Sequence, residues 1–150
     1  MNQINKETIN FTEEWSRWDL DGQADQGNYY ISTFNYECIG FRIILKKENI
    51  KKDDTQQIVE ILFPYEISAL RIVDEGLRLK LYRALSEKYG DDFYQKWAFF
   101  TVEKSDYLKW LSNQSYEISD SPKTKHFVIK GLDCLLDIIT RHQPKIRILD

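Results

Sequence analysis

Apolar residues alternate with other residues along several short stretches of the chain, and this period of two is typical of β-strands. The clearest stretch is 38–45, in which every odd-numbered residue is apolar. Residues 58–63 are apolar on both sides except at Glu60, which predicts a strand in the middle of a sheet. Pro64 ends that strand, because proline cannot donate to a strand ladder. Further strands are predicted at 29–34, 67–73, 97–102, 126–129 and 146–149.

The best helix is predicted over residues 74–89. Asp74 can cap its first turn, and Gly90 stands where a helix end favours a positive φ. One face repeats apolar residues at helical spacing and should pack on the sheet: Leu77, Leu81 and Leu85. A second, short helix should begin after Ser105, which can cap it.

Residues 132–140 fit either a helix face or the second strand of a hairpin that turns near Gly131, and we favour the hairpin. Together the patterns predict a single α+β domain over residues 1–150, with residues 1–10 loosely ordered. Its sheet should be mainly antiparallel, with five or more strands and two or three helices.

The composition is typical of a soluble globular protein, with 42% hydrophobic and 30% charged residues. The net charge of −3 gives no basic footprint for nucleic acid, so we expect no nucleic-acid partner. The N-terminus has no apolar signal core, and no apolar run approaches the roughly 20 residues of a membrane helix. We therefore expect a cytoplasmic protein without a membrane partner.

Residues for common catalytic chemistry are scarce, since the chain has only two histidines and two cysteines. No nucleophile motif, phosphate loop or metal-ligand cluster occurs, so we expect no catalytic residue, cofactor or metal site. An EF-hand is excluded, because setting Gly22 sixth places Arg17 first and Asn28 twelfth. Cys38 and Cys134 have apolar neighbours and are expected to be buried free thiols.

Aromatic residues are abundant instead, and those of the first third of the chain lie among carboxylates. Tryptophan and tyrosine are common binding hot spots, and carboxylates can steer a basic partner toward them. The predicted partner-binding residues are Trp15, Trp18, Asp19, Asp21, Asp25 and Tyr30. In the sharpest form of this hypothesis, the three aspartates ring an anchor made by Trp18 and Tyr30. The competing interpretation is that these aromatic residues pack in the core.

A second hypothesis is a small-molecule-binding or hydrolytic protein. Its pocket would lie near Tyr65, Glu75 and His126. Helix capping and favourable charge in the first turn explain Asp74 and Glu75 more simply. A closed pocket holding two or more of the three pocket side chains would favour this hypothesis, whereas an open sheet face would favour a binding module.

Three short signatures occur in order along the chain. They are DEGLR at 74–78, SDYLKWL at 105–111, and HFVI at 126–129, which leads through DII at 137–139 to Pro144. Over residues 56–146 the chain resembles small uncharacterised bacterial immunity-like proteins found beside polymorphic-toxin genes. The resemblance implies a protein that neutralises a cognate toxin domain by binding it, and a basic toxin domain would suit the acidic surface. It identifies no contact residues, and the oligomeric state stays open.

Overall fold

The computed structural model describes residues 10–48, 56–116 and 122–149, which form nine β-strands in two antiparallel sheets and three α-helices. The α+β fold class predicted from the sequence is therefore confirmed. The predicted loose segment 1–10 lies outside the described residues except for its last residue. No helix in the described ranges is long and apolar enough to span a membrane.

The strands are β1 (Glu14–Arg17), β2 (Tyr29–Glu37), β3 (Gly40–Lys47), β4 (Ile58–Pro64), β5 (Ala69–Asp74), β6 (Phe99–Glu103), β7 (Lys125–Lys130), β8 (Cys134–Thr140) and β9 (Lys145–Leu149). The helices are α1 (Leu79–Tyr89), α2 (Asp92–Gln95) and α3 (Asp106–Gln114). One sheet has the order β1-β6-β7-β8-β5, and the other has the order β2-β3-β4-β9. The β7–β8 pairing confirms the hairpin that we favoured for residues 132–140.

The main core lies between the two sheets. Strand alternation turns Phe127 and Ile129 of β7 toward the four-stranded sheet, where the ring of Phe63 lies 5.5 Å from that of Phe127. The intervening residue, Val128, joins a second apolar cluster on the opposite face, beneath α1 and α2. The five-stranded sheet is thus the middle of three layers, and its central strands β7 and β8 are buried on both faces for that reason.

Helix α1 begins later than the sequence pattern predicts. Asp74 caps a separate 3₁₀ turn, Glu75–Leu77, and α1 begins only at Leu79 after a non-helical Arg78 with φ of −113°. Because of this break, Leu77 does not share the apolar face of α1. The prediction that Leu77 packs on the sheet is therefore wrong, and the residue is 79% exposed. Leu81 and Leu85 do pack there, as predicted.

The β2–β3 hairpin corrects the expected burial of Cys38. The strands pair up to Glu37 and Gly40, which leaves Cys38 and Ile39 as exposed turn residues. Gly40 has a φ of 137°, and a Cβ there would lie 2.1 Å from the carbonyl oxygen of Phe63. Only glycine fits so close to the neighbouring strand, and this fixes where the turn begins. Both cysteines are free, but the expected burial is not met at either, because Cys38 is exposed and Cys134 is only half-buried.

Candidate functional site

A buried carboxylate lies at the centre of the five-stranded sheet. Asp137 of β8 is fully buried on the face that carries the helices. Its Oδ1 is 2.7 Å from His126 Nε2, and its Oδ2 accepts bonds of 3.0 Å from Arg71 Nε and from Arg78 Nη1. Burial of a charge is costly unless the charge is paired and hydrogen-bonded, and here three groups satisfy it.

The pKa of Asp137 reflects this competition. Burial by itself raises the pKa, but the hydrogen bonds and charges of His126 and Arg71 outweigh it and hold the pKa at about 2, below the ordinary 3.8. The carboxylate is therefore ionised at neutral pH. Because its pKa is lowered in the folded state, its contribution to stability is complete above about pH 4 and is lost as the pH falls through about 2.

His126 connects this carboxylate to helix α3. Its Nδ1 lies 2.7 Å from the hydroxyl oxygen of Ser105, which also caps α3 by accepting a 3.0 Å bond from the Leu108 N–H. When the Ser105 hydroxyl donates to Nδ1, the remaining ring proton is on Nε2 and points to Asp137. In this tautomer, each of the two hydrogen bonds that link Ser105, His126 and Asp137 has a proton to donate.

The hydrogen-bonded series Ser105–His126–Asp137 has the residue types and order of a serine hydrolase triad. Its geometry, however, fits a structural role better. The two ring nitrogens are exchanged relative to the usual triad, in which the serine bonds Nε2. Ser105 and His126 are 3% and 2% exposed, and the serine oxygen already caps a helix. The charge of Asp137 is also shared with two arginines, which weakens its ability to stabilise an imidazolium. The network therefore ties the starts of α3 and α1 to the sheet.

An open cleft lies directly outside the network, and we call it the arginine–aromatic cleft. It has a volume of about 410 Å³ and is lined by Arg71, Asp106, Tyr107 and Trp110. The guanidinium carbon of Arg71 lies 4.3 Å from the centre of the Tyr107 ring, and the rings of Tyr107 and Trp110 are stacked with centres 6.0 Å apart. Trp110 is 55% exposed. The cleft thus presents an aromatic pair beside a cation that the buried carboxylate holds in place.

Trp15, a predicted partner anchor, belongs to the core instead. It is buried beneath the helices, with its ring 5.6 Å from that of Phe100. Its indole N–H donates to Glu13, whose other carboxylate oxygen accepts from the Asp106 N–H at the start of α3. The expectation that Trp15 is exposed to a partner is therefore not met, because its ring closes the second apolar cluster.

Trp18 and Tyr30 do not form one anchor. Trp18 is half-buried against Phe127, with ring centres 4.9 Å apart, and its carbonyl accepts from Trp97. Tyr30 follows the buried Tyr29, so strand alternation places it on the opposite face of its sheet. Sequence proximity was misleading here, because Trp18 follows β1 and packs against the core between the sheets, whereas Tyr30 lies on the outer face of β2.

The three aspartates of the predicted site are exposed. Asp19 and Asp21 form a tight turn in which the Asp19 carboxylate accepts from the Asp21 N–H at 3.0 Å. Asp25 is 3.8 Å from the ammonium of Lys47. Their contact with a basic partner stays a prediction, but the aromatic anchor that they were expected to ring is not assembled.

Tyr65, Glu75 and His126 lie in three different clefts rather than in one pocket. Tyr65 is exposed, and the centre of its ring lies 4.9 Å from that of His142, with the two rings tilted by 60°. Glu75 lines a cleft at the start of α1, and the buried His126 lines another one beside Ser105. A pocket shared by these three side chains is therefore absent from the part of the chain that the structure describes.

The sequence reasoning missed Asp137, Arg71 and Arg78. One signal was present, since Asp137 interrupts the apolar run of 135–139 and a charge at such a position needs a partner. The partners could not be identified from spacing, because Arg71 meets Asp137 only through the β5–β8 pairing, 66 residues away.

Comparisons with protein-family models, curated proteins and solved structures found no match to this chain. Within residues 10–48, 56–116 and 122–149, no three His, Cys, Asp or Glu side chains are grouped to hold a metal ion.

Proposed function

We propose that this chain is a non-enzymatic cytoplasmic binding protein of the immunity or antitoxin kind, which neutralises a cognate toxin domain by protein–protein binding. The observation that carries the proposal is the arginine–aromatic cleft. Tryptophan, tyrosine and arginine are the residue types most enriched at binding hot spots, and here one of each lines the same open cleft.

Preorganisation supports this assignment. Arg71 is held by Asp137 through Nε, and Tyr107 lies between the guanidinium and Trp110. Side chains that are already ordered lose little conformational entropy when a partner binds, so more of their contact energy appears as affinity.

The exposed acidic turn supports a basic partner. The carboxylates of Asp19, Asp21 and Asp25 can attract a positively charged domain over a distance of about 8–10 Å at moderate salt. In this proposal the turn affects the rate of association, and the arginine–aromatic cleft supplies the lasting contacts.

The test is to measure the affinity for a purified, catalytically inactive toxin domain encoded beside this chain's gene. Trp110→Ala should weaken binding by about 2 kcal/mol or more, which is about 30-fold in Kd. Tyr116→Ala is the matched control, because Tyr116 is an exposed aromatic residue just after α3 and outside the cleft. Its Kd should equal that of the wild type.

Two results would contradict the proposal. One is the absence of any measurable binding to the toxin domain. The other is equal affinity of Trp110→Ala and Tyr116→Ala, which would place the contact elsewhere.

Neutralising Asp19, Asp21 and Asp25 should slow association at low salt and leave dissociation unchanged.

A second candidate function, hydrolysis, is favoured by one specific observation, the two 2.7 Å contacts that link Ser105, His126 and Asp137. Ser105 and His126 also line a cleft of about 340 Å³. A fluorophosphonate probe distinguishes the two candidates. Labelling that disappears in Ser105→Ala would establish a reactive serine, whereas an unlabelled wild-type protein would exclude this candidate.

A further inference from the structure

Strand β2 is an edge of the four-stranded sheet, and its second half is exposed. It pairs only with β3, so its outer row of backbone N–H and C=O groups has no strand partner among the described residues. Every residue from 32 to 36 is exposed, and we call this part of β2 the open edge segment. An open edge is a template for pairing with another strand.

The open edge segment also carries aromatic side chains that face the inside of the sandwich. Phe34 and Tyr36 lie opposite Ile43 and Phe41 of β3, on the same face as those core residues. Their rings lie 6.0 and 6.4 Å from that of Phe41, yet they are 45% and 60% exposed. At the other end of the strand Tyr29 is buried against Phe99 of the five-stranded sheet. The covering sheet thus ends before β2 does.

The features that usually protect an edge strand are nearly absent. Residues 29–36 contain no charged residue, no proline and no glycine. The single irregularity is a register shift between Ile31 and Thr33. Natural edges are commonly blocked by charges, proline or bulges, and beyond the bulge at Ser32 the segment 33–36 carries none of these features.

We propose that a second copy of this chain covers the open edge segment by antiparallel β2–β2 pairing about a two-fold axis. With Phe34 facing Phe34 of the other copy, Thr33 lies opposite Asn35 on the other face of the sheet. The bulge between Ile31 and Thr33 ends this regular register, and the paired residues 33–35 carry no charge. The arrangement closes on itself, because each copy uses its single open β2 edge.

Charge favours this occupant over an unrelated partner. A strongly acidic or basic protein would find no charge of opposite sign in residues 29–36, whereas an identical segment matches in polarity and in side-chain alternation. The aromatic pair at the two-fold axis adds contact where the five-stranded sheet gives no cover. This inference is independent of the proposed neutralising function, because a dimer can form whether or not a toxin domain binds.

The test is sedimentation equilibrium of the full chain over a range of concentrations, with and without a charge in the pairing segment. The wild type should approach twice the chain mass of 18.0 kDa. Phe34→Glu places two carboxylates opposite each other and should raise the dimer Kd by at least about tenfold. Ile39→Glu is the control, because Ile39 is an exposed apolar residue of the adjacent turn, outside the segment. It should leave the Kd unchanged.

Amide hydrogen exchange provides a readout that does not depend on a variant. The amides of residues 32–36 that point away from β3 should exchange slowly in the concentrated wild-type protein and rapidly after dilution to the monomer. A wild-type protein that stays monomeric at all concentrations would overturn the inference. A dimer that Phe34→Glu leaves intact would overturn it as well, as would fast exchange, in the concentrated protein, of the amides that point away from β3.

Discussion

Replacing Asp137 by Asn tests whether the buried network stabilises the fold. Asparagine keeps the size of the side chain but removes the charge, so it leaves two guanidinium groups near a neutral amide. Truncating one partner of a buried ion pair typically costs 3–5 kcal/mol. Arg71 is partly exposed and can turn toward water, whereas Arg78 is more buried and less able to do so. We therefore expect the lower part of that range, about 3 kcal/mol.

The pKa of Asp137 gives an independent magnitude. The change from 3.8 to about 2 corresponds to roughly 2 kcal/mol of stabilisation of the ionised form, at 1.36 kcal/mol per unit. The pKa and the typical cost of breaking a buried ion pair therefore both give a loss of about 2–3 kcal/mol for Asp137→Asn. Against a typical total stability of about 5–15 kcal/mol, such a loss is large but leaves a folded protein.

The assay is urea unfolding of wild type, Asp137→Asn and Asp25→Asn, followed by circular dichroism. Asp137→Asn should lower the transition midpoint without changing the slope. Asp25→Asn, which removes only an exposed ion pair with Lys47, should change stability by less than about 1 kcal/mol. The difference between wild type and Asp137→Asn should shrink as the pH falls from 4 to about 2. A loss below about 1 kcal/mol at pH 7, or a difference that does not change with pH, would refute the reasoning.

Two further predictions concern helix positions. Ser105→Ala removes the cap of α3 and the partner of His126 Nδ1, so it should cost about 2 kcal/mol, whereas Ser105→Thr keeps the hydroxyl and should cost less than half of that. Leu85→Ala should cost about 2–4 kcal/mol because Leu85 is buried on the inner face of α1, and Leu77→Ala should stay within about 0.5 kcal/mol. Thermal or urea unfolding measures the stability of all four variants. Equal losses of stability in Leu77→Ala and Leu85→Ala would contradict the break in the helical pattern before α1.

Local patterns predicted most of the strands because side-chain alternation reflects burial on one face of a sheet. The stretch 38–45 is an example in which Phe41, Ile43 and Leu45 are buried as expected. The same pattern failed at Ile39, because the approach of Gly40 to Phe63 ends the strand and begins the turn. Periodicity shows which residues share a face but does not show where a turn interrupts the pattern.

The buried network depends on contacts that no local pattern contains. His126 and Asp137 are brought together by the β7–β8 hairpin, and Arg71 reaches them across β5. The predicted hairpin over 132–140 placed His126 and Asp137 in neighbouring strands, but their shared face depends on the strand register, which the sequence pattern does not determine. The position of Trp110 beside Arg71 follows only from the docking of α3, which the sequence does not reveal.

The most direct test of the proposed function is the growth of cells that express the toxin domain encoded beside this chain's gene. Co-expression of the wild-type chain should restore growth, Tyr116→Ala should restore it equally, and Trp110→Ala should fail although it folds with an unchanged circular dichroism spectrum. A wild-type chain that gives no protection, or a Trp110→Ala chain that protects as well as the wild type, would contradict the account.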